Sequence, residues 1–319
     1  MNKKVNILIT GGAGFIGSNL VETLLNDKRV SLVRVMDDLS TGYEKNIIAF
    51  SNDPKFEFIK ADICSYETCF ELTKDIDLIS HQAALGSVPR SIKDPLITNE
   101  VNITGTLNIF NAAVENKIQR VVFAASSSTY GDSKNLPKVE HTIGKPLSPY
   151  AVTKYVNELY AEVYAKTYEF EYIGLRYFNI FGPNQDLFGP YAAVIPLFIK
   201  AALKNEDPVI NGDGTFSRDF TFVDNAINAN ISALFSNNKE AVNQVYNIAC
   251  GEQTSLDKLW EDIKKITGSS SKAIYGPNRI GDIPHSLADI SKARKYLNYE
   301  PEINLELGLQ KTIEFLRNN

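Results

Sequence analysis

The sequence predicts an α/β fold, a doubly wound parallel sheet with helices on both faces and a smaller C-terminal α/β lobe. Two observations predict it. Short apolar runs alternate with amphipathic stretches through the first half of the chain, the pattern that a parallel sheet with crossover helices requires. The first of those runs also ends in a cluster of glycines that leads directly into a helical pattern.

In chain order, Val5–Thr10 reads as the first strand and Phe15 to about Asn26 as a helix. Leu32–Asp37 and Phe56–Lys60 are the second and third strands. Asp77–His81 and Arg120–Ala125 follow, separated by a long helical pattern from about Pro95 to Asn116. Another helix, from about Ser148 to Tyr168, leads into the strand Tyr172–Arg176. After about Phe178 the alternation breaks into turn-rich segments such as Phe181-Gly-Pro-Asn-Gln185 and Asn211-Gly-Asp-Gly214. The expected division is residues 1–178 against residues 179–319, with segments around 215–249, including the strand Val245–Ala249, returning to the main sheet.

The chain's 319 residues suit two domains or one large α/β unit, and 44% hydrophobic with 22% charged residues is an ordinary globular composition. A net charge of −5 argues against a basic nucleic-acid platform. Lys3 and Lys4 precede an apolar stretch that Thr10 and the glycines end, too short for a signal-peptide core, and no run approaches a membrane span. Cys64, Cys69 and Cys250 read as free thiols of a reducing compartment, and His81, His141 and His285 add no metal-ligand spacing. The expectation is a cytoplasmic protein with no metal, nucleic-acid or membrane partner.

Gly11-Gly-Ala-Gly-Phe-Ile-Gly17 follows the first strand and opens the first helix. Glycines at 11 or 12, 14 and 17 allow a tight turn, close approach of a pyrophosphate and helix–sheet packing, while the helix N-terminus offers free N–H groups. Asp37 ends the second strand, 20 residues after Gly17, where a carboxylate can bind ribose hydroxyls and repel a 2′-phosphate. The dinucleotide expected is therefore NAD on a Rossmann-type sheet. Asp62, just after the third strand, reads either as an adenine contact or as a plain loop residue.

Tyr150 and Lys154, four apart at the start of a helix, project from one face. A tyrosine with a reference pKa of about 10 is a poor base at neutral pH. A neighbouring ammonium and a positive nicotinamide ring favour the phenolate, so the expectation is a lowered pKa. Ser126, at the end of the preceding strand, can donate to the same substrate oxygen.

These segments resemble the extended short-chain dehydrogenase/reductase family, within it the nucleotide-sugar epimerases and dehydratases, over nearly the whole length. The carrying motifs are Thr10-Gly-Gly-Ala-Gly-Phe-Ile-Gly17, Asp62-Ile63, Asn102-Ile-Thr-Gly105, Tyr150-x-x-x-Lys154, Arg176-Tyr-Phe-Asn179, Ser217-Arg-Asp219 and Arg279-Ile-Gly-Asp282. The resemblance implies catalysis by Ser126, Tyr150 and Lys154. For NAD it implies Gly11, Gly14, Phe15, Ile16 and Gly17, then Asp37, Asp62 and Ile63, and further Gln82, Ala83, Ala84, Tyr150, Lys154 and Tyr177. It also implies a homodimer through the helices at 95–116 and 148–168. Tyr155, Tyr160 and Tyr164 read as packing at helical spacing, and His81 as a satisfied core group.

Dehydratases and related decarboxylases of the family place acids directly after the catalytic Ser or Thr, because eliminating water needs an acid and a base beyond the tyrosine. Here Ser127 and Ser128 stand there, and Ser126-Ser-Ser-Thr-Tyr-Gly131 resembles the 4-epimerases. The implied reaction is transient oxidation at sugar C4 with tightly bound NAD and return of the hydride to the opposite face.

A nucleoside diphosphate is best held by arginines. The resemblance gives Asn179, Arg218 and Arg279 to the diphosphate, Asp282 to the ribose or uridine, and Ala193-Val194-Ile195 to the uracil, so UDP is the expected carrier. Without it, Arg218-Asp219 and Arg279 with Asp282 read equally as surface ion pairs. Gly86, Ser87 and the gate residue Ser286 are small enough to admit a 2-acetamido group, with Gln185 and Ser128 as polar contacts to it. Gly86-Ser-Val-Pro-Arg-Ser91 and His285-Ser-Leu-Ala-Asp289 resemble the bacterial surface-polysaccharide epimerases of UDP-N-acetylglucosamine. The expected substrate pair is UDP-N-acetylglucosamine and UDP-N-acetylgalactosamine. UDP-uronates, with Arg90 as a partner for a C6 carboxylate, and UDP-glucose are the alternative substrates. A dehydratase, or an NAD-binding regulator without catalysis, is the alternative of another class.

Overall fold

Val5–Thr10 (β1) sends Ile7 and Ile9 to one apolar layer and Leu8 to another, which puts this strand in the middle of a sheet rather than at its edge. The computed structural model, which describes residues 4–186, 193–277 and 283–318, places it there. The chain continues through α1 (Phe15–Leu25), β2 (Val30–Asp37), β3 (Phe56–Lys60), α2 (Tyr66–Leu72) and β4 (Leu78–His81). It then forms α3 (Val88–Lys93), α4 (Pro95–Asn99), α5 (Gly105–Glu115), β5 (Arg120–Ser126), α6 (Pro149–Thr167) and β6 (Tyr172–Tyr177). The second half is made of shorter pieces: β7 (Ile180–Phe181), α7 (Val194–Lys204), β8 (Val209–Asn211), β9 (Ser217–Arg218), β10 (Thr221–Phe222), α8 (Val223–Leu234) and β11 (Gln244–Ile248). β12 (Thr254–Ser255), α9 (Leu256–Thr267), β13 (Ile274–Gly276), α10 (Ser291–Leu297) and α11 (Leu305–Asn318) complete it.

One parallel sheet runs in the order β11-β6-β5-β4-β1-β2-β3, a doubly wound Rossmann-type arrangement with the order reversing beside β1. Ile7, Ile9, Val33 and Val35 pack with Leu20 and Leu24 of α1 and Ile227 of α8. Leu8, Met36, Ile79 and Phe123 pack on the opposite face with Ile109 and Phe110 of α5. α8 and β11 thus lie in the layers of the main sheet although they follow residue 179. The remaining late strands pair two by two, β7 with β10, β9 with β12 and β8 with β13.

The helical pattern from Pro95 to Asn116 is not one helix. α4 stops at Asn99, a π turn spans Glu100–Thr104, and α5 follows. The wide turn carries Asn102, whose amide accepts from Leu85 N (2.7 Å) and donates to Leu85 O (3.2 Å) and Thr153 Oγ1 (3.1 Å). One inserted residue changes the hydrogen-bond register without disturbing the apolar stripe, so periodicity does not register it.

Candidate active site

The crevice lies beyond the C-terminal ends of β1 and β4, where the strand order reverses. Gly11 has φ +70°, and a Cβ on it would meet Ala83 N at 2.7 Å. A Cβ on Gly17 would lie 2.1 Å from Gly11 O, so only hydrogen fits between the turn and α1. Gly14 begins α1 with no side-chain cap, which leaves the first-turn N–H groups of Phe15, Ile16 and Gly17 to an anion.

Asp37 is buried at the end of β2, and burial raises its pKa. One carboxylate oxygen accepts from Ala13 N (2.9 Å) and the other from Leu39 N (2.8 Å), so each keeps a lone pair for a hydroxyl. Asp62 is exposed and accepts from Cys64 N (2.8 Å). Ile63 is buried against Gly105, and its carbonyl accepts from Asn108 Nδ2 (2.9 Å). The cradle and the paired carboxylate fit a dinucleotide.

Two expected cofactor residues face elsewhere with their side chains. Tyr177 OH donates to Gln82 Oε1 (3.1 Å), Gln82 Nε2 donates to Ser80 Oγ (2.9 Å) and Asn230 Oδ1 (3.0 Å), and Asn230 Nδ2 returns to Tyr177 OH (2.7 Å). This ring commits both side chains to α8. Polar contact of Gln82 with a cofactor is therefore left to its strand-end backbone. Asn230 was not found from sequence; its signal is a polar residue among the buried alanines of α8.

His81 is buried with both ring nitrogens partnered. Thr106 Oγ1 gives its proton to Asn102 O (2.6 Å), so it accepts from His81 Nε2 (3.0 Å), and Nδ1 then accepts from Thr10 Oγ1 (2.7 Å). Burial, with a smaller contribution from the charge of Lys154, holds its pKa down at about 3.

Ser126 ends β5, and Tyr150 and Lys154 occupy the first turns of α6, which Ser148 caps through Ala151 N (3.1 Å). Lys154 Nζ donates to Ala124 O (2.8 Å) and lies 6.0 Å from the centroid of the Tyr150 ring. Burial lowers the lysine pKa to about 8, with Glu158 pulling it back up. Burial raises the Tyr150 pKa, and the Ser126 hydroxyl beside it pulls it down. In the protein alone, desolvation outweighs the hydrogen bond, and the expected lowering rests on the charge that bound nicotinamide would add.

Ser128 N (3.1 Å) and Ser128 Oγ (2.9 Å) both donate to Ser126 Oγ. The two lone pairs of Ser126 are filled, so its own proton is directed to the phenol side. The Ser128 hydroxyl donates its proton to Ser126 and keeps its lone pairs for another donor. Beneath α6, Glu158 and Arg176 form a buried ion pair at 2.8 and 2.6 Å, which ties the helix to β6 and which sequence reading did not find.

On the other side of the crevice, a cavity of about 530 Å³ is lined by Asn179, Ala193, Val194, Arg218, Phe220 and Leu256 among others. Arg218 Nη1 donates to Ser217 O (2.9 Å) and Pro284 O (3.2 Å). Ser286 N donates to Ser217 O (3.0 Å), which places the gate candidate beside Arg218. Gly86 is exposed with nothing within 4 Å of a Cβ position, and Ser87 holds φ +104° while its hydroxyl caps α3. Gln185 donates to Ile180 O (3.2 Å), and its buried Oε1 has no partner among the described residues. Arg279 and Asp282 lie outside the described residues.

Residues 7–249 match the NAD dependent epimerase/dehydratase family. The chain belongs to that family. This family member is 40% identical to the UDP-N-acetylglucosamine 4-epimerase of Methanobrevibacter ruminantium M1, solved with UDP-N-acetylmuramic acid, at a TM-score of 0.93 over 99% of each chain. The UDP-glucuronic acid 4-epimerase of Bacillus cereus, solved with UDP-glucuronic acid and NAD, is 32% identical at a TM-score of 0.91 over 98% of this chain and 99% of that one. A UDP-glucose 4-epimerase of Mycolicibacterium smegmatis is 36% identical over 98% of both chains. NAD is the cofactor of the family, and these relatives are UDP-sugar 4-epimerases that differ in sugar.

Proposed function

We propose that this family member is an NAD-dependent UDP-N-acetylglucosamine 4-epimerase that interconverts UDP-N-acetylglucosamine and UDP-N-acetylgalactosamine. The convergence of Ser126, Tyr150 and Lys154 at the end of β5, with serines rather than carboxylates at 127 and 128, carries the reading. Elimination needs a further acid and base, which Ser127 and Ser128 do not supply. When bound, NAD supplies a hydride acceptor and donor for sugar C4 and a positive charge near the phenol. Tyr150 takes and returns the proton of the 4-hydroxyl, Ser126 donates to the same oxygen, and Lys154 holds the ribose and favours the phenolate. Asn179 and Arg218 hold the diphosphate, and by their motif Arg279 takes the same role and Asp282 the ribose or uridine.

Three features support the N-acetyl sugar: open space at Gly86, a small residue at 286, and 40% identity to the Methanobrevibacter enzyme. Leu96 is 81% exposed and Val163 54%, with Val152 and Leu159 nearly half exposed, so α4 and α6 present an apolar face suited to a homodimer. Tyr160 shares that exposed face, whereas Tyr164 packs against Phe110 and Phe170.

The test is incubation of the purified protein with a panel of UDP-sugars, without added reductant, followed by NMR of the anomeric protons. Appearance of the C4 epimer of UDP-N-acetylglucosamine is expected. Turnover of only UDP-glucose or a UDP-uronate would keep the reaction and replace the sugar. A 6-deoxy-4-keto product would overturn the reaction itself.

A further inference from the structure

Ser217-Arg218-Asp219 contributes Arg218 to the cavity, and Asp219 is the next residue along the chain. Asp219 has no exposed surface. Its Oδ1 accepts from Cys250 N (3.0 Å), and its Oδ2 accepts from Gly251 N (3.1 Å) and Ala288 N (3.2 Å). Its backbone carbonyl accepts from Asn179 Nδ2 (3.0 Å). A single buried carboxylate therefore joins the residue after β9 to the loop leaving β11 and to the segment that carries Ser286. An isolated buried carboxylate is expensive, and backbone donors of this number are what make it tenable.

The consequence is geometric. Arg218 sits on a strand of only two residues, too short for its ladder to fix a side chain. Ser217 meets the segment of Ser286 only over residues 284–286, through backbone bonds to Pro284 and Ser286 and its hydroxyl on His285 Nδ1, and Asn179 holds φ +40°, a conformation that needs support from outside. Asp219 follows Arg218 directly, takes Asn179 on its carbonyl, and through Ala288 N holds the chain two residues beyond Ser286.

We propose that Asp219 is a positioning residue for nucleotide-sugar binding, which holds Asn179 and Arg218 at the cavity wall and the segment of Ser286 beside them. This rests on the reading of that cavity as the UDP-sugar site. It separates the two ligands: Asp219 lies on the β9 side and makes no bond to the glycine turn, so its loss weakens the nucleotide sugar and leaves the dinucleotide alone.

The test is Asp219→Asn, which keeps the shape but turns a donor toward a backbone N–H. UDP affinity by calorimetry, NAD content, and kcat and KM for the UDP-sugar turned over by the wild type are measured on the holoenzyme. About a tenfold weaker UDP affinity and a matching rise in KM are expected, with kcat and NAD content within twofold of wild type. Gly251→Ala, which strains the αL position of one donor without a clash, is the second variant and is expected to shift UDP affinity alone by a few-fold. Wild-type UDP affinity in either folded variant would overturn the proposal, as would a parallel loss of UDP and NAD binding, the mark of a merely structural residue. A wild-type protein that binds no UDP would overturn the reading of the cavity first, and the proposal with it.

Discussion

On the cofactor side of the crevice, the residues that matter stand at the ends of long parallel strands. Gly11 follows β1, Asp37 ends β2 and Ser126 ends β5, and the seven-stranded register fixes all three at once. On the substrate side, Arg218 stands on a two-residue strand, and Asp219 beside it is bonded to backbone groups 31, 32 and 69 residues away. The first side is fixed by close packing, the second by individual hydrogen bonds. Added atoms should therefore damage the cofactor side, and lost hydrogen bonds the substrate side.

The largest effect belongs to the point where the two sides meet. Tyr150→Phe removes the proton carrier without changing the packing of α6. Turnover is expected to fall about 10³-fold, within the range for loss of a positioned acid–base group, while NAD content and UDP affinity stay at wild-type levels. Near-normal turnover in the NMR assay would remove Tyr150 from the chemistry.

A pair of glycine substitutions tests the comparison directly. Gly17→Ala puts a Cβ 2.1 Å from the Gly11 carbonyl, which neither backbone can avoid. Loss of bound NAD and of several kcal/mol of stability is expected, about the upper end for a single substitution. Gly86→Ala meets nothing within 4 Å, so unchanged melting and NAD content are expected there. Equal damage from both would show that close packing at the glycine turn is not what excludes a side chain at residue 17.

The same contrast explains what could be read in the amino-acid sequence. Strand, glycine turn, helix and Asp37 lie within one short stretch, and each role follows from neighbours along the chain. Tyr150 and Lys154 were legible for the same reason, since four residues of helix bring them to one face. The role of Asn230 was not, nor the burial of Asp219 that replaces a surface ion pair, because their partners are distant in sequence: Gln82 lies 148 residues from Asn230 and Ala288 69 from Asp219. The burial that raises the Tyr150 pKa in the protein alone was not legible, because it comes from the packing around the helix rather than from its neighbours in sequence. The π turn escaped because apolar spacing is the same on either side of it.

Ser286→Tyr probes the substrate side on a segment held to Ser217 and Arg218 by a few individual hydrogen bonds. A bulkier side chain can move with its loop, so the expected effect is selective rather than destructive. Relative kcat/KM for the N-acetyl sugar against UDP-glucose should drop about 10- to 200-fold, the discrimination a pocket wall provides. An equal loss on both sugars would show that residue 286 does not face the 2-substituent.

The smallest effect is one of sign, and it divides the two sides again. His81 has a folded pKa of about 3 against a reference of 6.5, so between these values the unfolded chain binds a proton that the native protein refuses. Its contribution is intact above pH 6.5 and is lost as pH falls toward 3, about 2 kcal/mol by pH 5. Asp219 runs the other way: burial raises it from 3.8 to about 6, so the native state takes up a proton first and gains stability as pH falls through that window. That gain is about 1 kcal/mol by pH 5. Urea unfolding at pH 7 and pH 5 separates them. His81→Asn should lose less stability than wild type on acidification, and Asp219→Asn more, because each removes one of two opposed proton linkages. Equal acid sensitivity in wild type and both variants would mean that neither group titrates as its surroundings require. A change in only one variant would localise the acid response to that side of the crevice.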